Sequence, residues 1–173
     1  MNIFVLSALQ KKSATMYCDK HVVKIILEIA QLLSTANPLH PRAYRATHKH
    51  HPWAIAVRRS SEVYLWAATM GLQLCREYTH RYGKVHKCEE RIQALLSSPP
   101  PPTGEKFRPG TTVGLVNGLE LPVCTNGAVV YRPDGSVDVV WSYRIYYRTD
   151  KLRLLSYRKR ERPTWLPSRV CEV

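Results

Sequence analysis

Residues 19–36 read DKHVVKIILEIAQLLSTA, and the spacing of the polar positions within that stretch decides the fold class. At about 100° per residue, His21, Lys24, Glu28 and Gln31 fall within roughly an 80° arc of a single helix. Val22, Val23, Ile25, Ile26, Leu27, Ile29, Ala30, Leu32 and Leu33 cover the remainder, so the helix is expected to be mostly buried. Taking a lysine and a glutamate out of water costs several kcal/mol unless they pair or face a cleft. Two readings follow. Lys24 and Glu28, at i and i+4, can form a structural ion pair; alternatively the stripe, which combines acid, base and donor capacity, is the face of an active site. On the second reading His21, Lys24 and Glu28 are the candidate catalytic residues.

Working outward, residues 2–6 form a short apolar run suited to an edge strand or a packed arm, and the first helix begins near Ser13 or Cys18. Residues 37–51 are turn-rich and basic and read as a long loop. Pro52 suits the first position of the next helix. Helical patterning then runs from Trp53 to about Tyr82, with a break at Ser60 and Ser61, and Gly83 supplies the stop. A further helix covers about residues 86–96, ahead of the semi-rigid proline run at residues 99–102. Residues 103–135 leave two readings open. Residues 128–131 and 137–140 can pair as a β-hairpin around Pro133-Asp134-Gly135, or the segment is a loop leading into a helix capped near Ser136. Its composition suits a lid or a dimer contact. The expected architecture is one mainly α domain over residues 1–173: a helical core (1–98), a spacer and insertion (99–135) and a basic, aromatic C-terminal segment (136–173).

Twenty-six Lys and Arg against 13 Asp and Glu give a formal charge of +13, which points to a polyanionic partner, most commonly nucleic acid. A hydrophobic content of 45% excludes general disorder. No apolar run approaches the length of a membrane span and no leader pattern is visible, so a soluble, intracellular protein without a membrane partner is expected. Cys18, Cys75, Cys88, Cys124 and Cys171 form an odd set without a CxxC pair; reduced thiols are expected rather than disulfides or a zinc ribbon.

The basic residues suggest a DNA-binding surface. The run REYTHRYGKVHK at residues 76–87 crosses a helix C-terminus, where the macrodipole alone favours cations; Arg81, Lys84 and Lys87 are candidate phosphate contacts. His48, Lys49 and His51 suit contacts to phosphate or to a displaced base. His48, His50 and His51 with His21 can also be weighed as zinc ligands, but the loop lacks a helical i, i+4 register and no carboxylate or cysteine completes a shell, so no metal or cofactor is expected. Trp53 and Trp66 read as core. Beyond Trp141, aromatics alternate with cations, which suits phosphate contacts and base stacking as well as it suits a helix packed by its tyrosines; Arg144 and Arg148 are the candidate phosphate ligands there. Trp165, within Arg162-Pro163-Thr164-Trp165, is a candidate for packing over the site or for intercalation, and Gln31 for hydrogen bonding to substrate.

His21 followed seven residues later by Glu28 resembles the pyrimidine-dimer DNA glycosylases of the phage endonuclease V type, and the segment Arg162-Pro163-Thr164-Trp165 is similar to that family's C-terminal segment. The stretches CDKHVVK (18–24), THKHHP (47–52) and EYTHRYGKVHK (77–87) are similar to a group of uncharacterised phage and large-virus proteins, over residues 1–87 and about 143–165. The glycosylase resemblance implies a helical fold, a DNA substrate and a Glu28 that stabilises positive charge on the sugar, with His21 beside it. Gln31 stands where that family has an arginine, exchanging a charged contact for a neutral one. The family's imine-forming nucleophile is the α-amine of a small residue exposed by methionine removal. Asn2 is too large for efficient removal of Met1, so amine-based lyase chemistry is not expected at that position, and Lys24, if buried, is the one helix-borne amine that could replace it.

Cleaving an N-glycosidic bond passes through an oxocarbenium-like transition state that a nearby carboxylate stabilises, after the nucleotide leaves the stack. The expected function is therefore a DNA enzyme acting on a flipped base in double-stranded DNA, glycosylase-like and without the N-terminal nucleophile, in the cytoplasm of an infected host or the nucleus of a eukaryotic one. Two alternatives use the same residues. One is a transferase that attaches an amine or amino acid to an activated thymine; the other is a non-catalytic DNA-binding protein whose polar stripe is a structural network.

Overall fold

A computed structural model describes residues 1–167. Among them are six α-helices, α1 (Gln10–Thr15), α2 (Asp19–Ala36), α3 (Pro52–Arg59), α4 (Ser61–Tyr82), α5 (Glu89–Ser97) and α6 (Val139–Arg148), and one antiparallel hairpin, β1 (Val113–Val116) and β2 (Leu119–Pro122). The mainly helical class expected from the sequence is the one observed.

Helix α2 packs against α3, α4 and α5. Ile25, Ile26 and Ile29 are buried, and α4 comes so close that a Cβ on Gly71 would lie 2.9 Å from Ile29 Cγ2. The helix is mostly buried, as its composition predicts, but Val23 and Leu27 are 41% and 40% exposed on the strip they share with the exposed Lys20 and Lys24. The break between α3 and α4 falls at Ser60, whose extended backbone interrupts the helix while its hydroxyl accepts from the Val63 N–H. Gly83 closes α4 in the left-handed conformation, and α5 starts three residues later than expected.

Residues 2–6 form an arm, not a strand. Ile3, Phe4, Val5 and Leu6 are buried, and their polar backbone is satisfied by side chains: Tyr17 Oη donates to Phe4 O (2.6 Å) and Leu6 N–H donates to Ser13 Oγ (3.0 Å). The insertion also differs from its expected layout. Its hairpin turns at Asn117-Gly118, both with positive φ, as a two-residue primed turn requires. Around Pro133-Asp134-Gly135 only the single bridge between Tyr131 and Val137 forms, and residues 139 onward enter α6, capped by Asp138 through the Trp141 N–H. The hairpin lies directly on that helix: a Cβ on Gly114 would meet Val139 Cγ2 at 2.7 Å.

Ion pairs fasten the insertion to the helices. Arg58 makes a two-pronged pair with Glu105 (2.6 Å each), Arg59 pairs with Glu120 (2.7 Å), and the Arg59 guanidinium lies 4.5 Å from the Phe107 ring centre. These contacts tie the segment to α3. No helix among the described residues is long and apolar enough to cross a membrane. Cys18, Cys75, Cys88 and Cys124 are free thiols, and burial pushes Cys75 up to about 12 and Cys124 up to about 11; Cys171 lies outside the described residues.

Candidate active site

A cleft of about 670 Å³ opens beside α2. Its floor is formed by His21, Ile25 and Glu28 together with the arm residues Met1, Asn2 and Phe4; Lys24, His50, His51 and Pro52 lie along the rim, residues 108–112 and most of 123–129 form a wall, and Tyr146 and Lys151 complete the lining. The polar stripe of α2 therefore does converge on a cavity, with the exception of Gln31, which is half-buried and does not line it.

Glu28 is 8% exposed. Its Oε2 accepts the main-chain N–H of Asn2 at 2.7 Å, and its Oε1 lies 3.4 Å from Lys24 Nζ. The i, i+4 ion pair and the cleft-facing carboxylate thus coexist. A burial-dependent role for Lys24 as an imine-forming amine is corrected: its side chain is 70% exposed, so it stands at the rim as a cation facing solvent.

His21 is buried, stacked on Phe4 (centroids 4.6 Å apart), and its Nδ1 is hydrogen-bonded to Tyr147 Oη at 2.7 Å. That leaves Nε2 as the ring nitrogen available to the cleft. Burial, helped by the cations of Lys151 and Lys24, brings its pKa down to about 4. His21 is consequently an uncharged imidazole at neutral pH, which suits a neutral hydrogen bond and not a charged contact with phosphate. His51 behaves alike: burial, the positive chain terminus and His48 lower it to about 4, and its Nδ1 accepts the Trp53 N–H as the cap of α3.

Several expected contacts are placed elsewhere. Arg81 is a structural residue, with no exposed side-chain surface; it pairs with Glu77 (2.7 Å) and Asp19 (2.9 Å), and Arg160 holds the second oxygen of Glu77 (2.9 Å). Burial works to raise the Glu77 pKa, but the guanidinium groups of Arg160 and Arg81 outweigh it and the net shift is downward. Arg144 donates to Leu6 O (3.0 Å) and lies between the rings of Trp141 and Trp165, which is packing, not phosphate binding. Trp165 packs on Tyr147 behind His21 and does not line the cleft. The tyrosines of α6 are mostly core: Tyr143, Tyr146 and Tyr147 are buried. His48 and Lys49 are exposed on a separate groove. Lys84, Lys87 and Arg148 are exposed and outside the cleft, free to meet phosphates. Among the described residues no three His, Cys, Asp or Glu side chains converge as a metal-ligand set.

The family model for pyrimidine dimer DNA glycosylases matches residues 1–90, just over half of the chain. The chain belongs to that family. The family implies DNA as the substrate class, as the sequence resemblance did. No curated protein and no solved structure matches the chain. The boundary of the match is informative about the site. His21, Glu28 and the His50–His51 rim fall inside it, whereas the wall, Tyr143, Tyr146, Tyr147 and Lys151 belong to the second half of the chain. Sequence reasoning missed this second set, and it also read Asn2 only as a barrier to methionine removal. Its true environment is crowded: Asn2 Oδ1 accepts from Trp53 Nε1 (3.0 Å) and Tyr143 Oη (3.0 Å), and Nδ2 donates to Cys124 O (2.7 Å).

Proposed function

We propose that this protein is a hydrolytic DNA glycosylase that removes a damaged pyrimidine from double-stranded DNA, with Glu28 as its catalytic carboxylate. One observation carries the reading: a buried carboxylate at the floor of a cleft, held by a main-chain N–H at 2.7 Å, with the cations of Lys24, Arg108 and Lys151 among the lining residues. As the C1′–N bond breaks, its electron pair leaves with the base and positive charge develops on the sugar. The Glu28 carboxylate, held in place by the Asn2 N–H, stabilises that charge; removing such a preorganised electrostatic partner typically costs 10²–10³ in rate. Water then adds at C1′ and its proton passes to Glu28. The target nucleotide has to leave the stack to reach the floor, at a cost of a few kcal/mol, which contacts of the basic rim with phosphate offset. The Asn2 nitrogen is a peptide N–H with Met1 preceding it, so it acts here as a hydrogen-bond donor, and water takes the place of an amine nucleophile.

The test is incubation of the protein, and of Glu28→Gln, with a duplex oligonucleotide carrying a single ultraviolet-induced thymine dimer, followed by alkaline cleavage and mass spectrometry. The expected result is alkali-labile abasic sites from the wild type, a fall of at least about 100-fold in E28Q, and unchanged DNA affinity in both. Intact glycosidic bonds throughout would overturn the reading, and parallel 5-substituted-thymine duplexes would then distinguish a base-modifying transferase from a protein that only binds DNA.

A further inference from the structure

Asn2 joins parts of the molecule that are far apart in sequence. Its side-chain amide receives Trp53 Nε1 of α3 and Tyr143 Oη of α6, and donates to the carbonyl of Cys124 in the wall. Tyr143 Oη also lies 2.8 Å from the Pro122 carbonyl, so its one proton is shared between that oxygen and Asn2 Oδ1, and it accepts the Cys124 N–H at 3.2 Å. The oxygen and nitrogen of the Asn2 amide are therefore committed to groups that are themselves buried or fixed, and Trp53 and Tyr143 have no exposed surface. The main-chain nitrogen of the same residue is what meets Glu28 Oε2. A short side chain with an acceptor at one tip and a donor at the other meets this geometry; serine lacks the reach, aspartate lacks the donor, and glutamine is one methylene too long.

We infer that Asn2 is a positioning residue: its side-chain amide locks the arm between α3, α6 and the wall, so that its own N–H fixes the orientation of the Glu28 carboxylate toward the cleft. This rests on the reading of Glu28 as the catalytic carboxylate, but it makes a claim about geometry that can be measured without any reaction. A carboxylate left to rotate in the cleft spends less time facing the sugar, and misplacement of a reacting group by an ångström can cost 10²-fold. Substrate is held by the rim and the wall, so the loss falls on kcat and not on KM.

Asn2→Leu, close to isosteric and too large for methionine removal, deletes the amide's polar atoms and keeps the main-chain N–H, which allows the contact itself to be followed. In the wild type the amide proton of residue 2 should shift downfield and respond to Glu28 in an NMR pH titration, a dependence that disappears in Glu28→Gln. In N2L that dependence should weaken, and kcat on the thymine-dimer duplex should fall about 10- to 100-fold with KM within about twofold of wild type. N2D, also too large for methionine removal, keeps acceptors for Trp53 and Tyr143 but turns an oxygen toward the Cys124 carbonyl; it should lose kcat in the same way and serves as the test if N2L does not fold. A variant that folds and keeps both the wild-type titration of its amide and the wild-type kcat overturns the inference. If the wild type proves inactive on DNA, the proposed function fails while the amide titration alone still decides whether Asn2 positions Glu28.

Discussion

Tyr147 Oη lies 2.7 Å from His21 Nδ1 across 126 residues of chain. The histidine comes from the first half of the protein and its partner from the second, so the orientation of the ring on the cleft floor is set by a residue outside the family match. Tyr147→Phe leaves the ring packing in place and deprives Nδ1 of its partner. It should cost about 1–3 kcal/mol of stability, the penalty of an unpaired buried polar group, and lower kcat for glycosidic cleavage while leaving DNA affinity unchanged. Urea denaturation and single-turnover kinetics check the two parts.

The depressed pKa of His21 makes stability depend on pH. Its value is about 4 in the folded protein against 6.5 ordinarily, so between these values the unfolded chain binds the proton and the folded chain does not. The sign follows: the contribution is fully present above about pH 6.5 and is lost as pH falls toward 4, to a total of about 3 kcal/mol. His21→Gln cannot titrate. The difference in urea midpoint between wild type and H21Q should therefore move against the wild type through this window and be flat from pH 7 to 8.

Arg81 separates a structural cation from a DNA contact. Its guanidinium neutralises Glu77 and reaches Asp19 with no exposed surface, and removing one partner of such a buried network typically costs about 3–5 kcal/mol. Arg81→Met should lower thermal stability by that order and leave the salt dependence of DNA affinity, measured below the melting transition, as in the wild type.

Lys24 should behave in the opposite way. Its ammonium is 70% exposed at the cleft rim, where a surface pair contributes at most about 1 kcal/mol to stability. Lys24→Ala should melt close to wild type yet reduce the slope of log affinity against log salt by about one, the signature of one lost phosphate contact. Borohydride treatment of wild-type reactions should trap no covalent adduct at Lys24, which peptide mass mapping would detect.

How much of this was legible in the sequence depended on how local the cause was. The stripe of His21, Lys24 and Glu28 follows from helical spacing, and the Ser60 break, the Gly83 stop and the Pro52 start are decided by residues within one turn of each feature. The hairpin at Asn117-Gly118 was equally local and was overlooked in favour of Pro133-Asp134-Gly135, a turn that closes a single bridge because Asp138 starts α6 directly afterwards. Arg81, Arg144 and Trp165 were read as DNA-facing because charge and aromaticity do not reveal burial; their partners Asp19, Leu6 and Tyr147 lie 62, 138 and 18 residues away. Asn2 and the wall were invisible for the same reason, since nothing near Asn2 in sequence announces Cys124 or Tyr143.

The hydrogen bond between Asn2 and Tyr143 spans 141 residues, and this has a consequence for the order in which the protein is made. During synthesis the arm and helices α1 to α5 precede the tyrosines of α6, so those helices can collapse through nearby contacts long before the arm has its partners. Contacts of such separation are late and slow to form. A nascent chain holding Glu28 but not yet Tyr143 and Tyr147 has the acid without the frame that aims it. A fragment that ends with the family-matched half accordingly holds Glu28 without the contacts from α6 on which the proposed function relies.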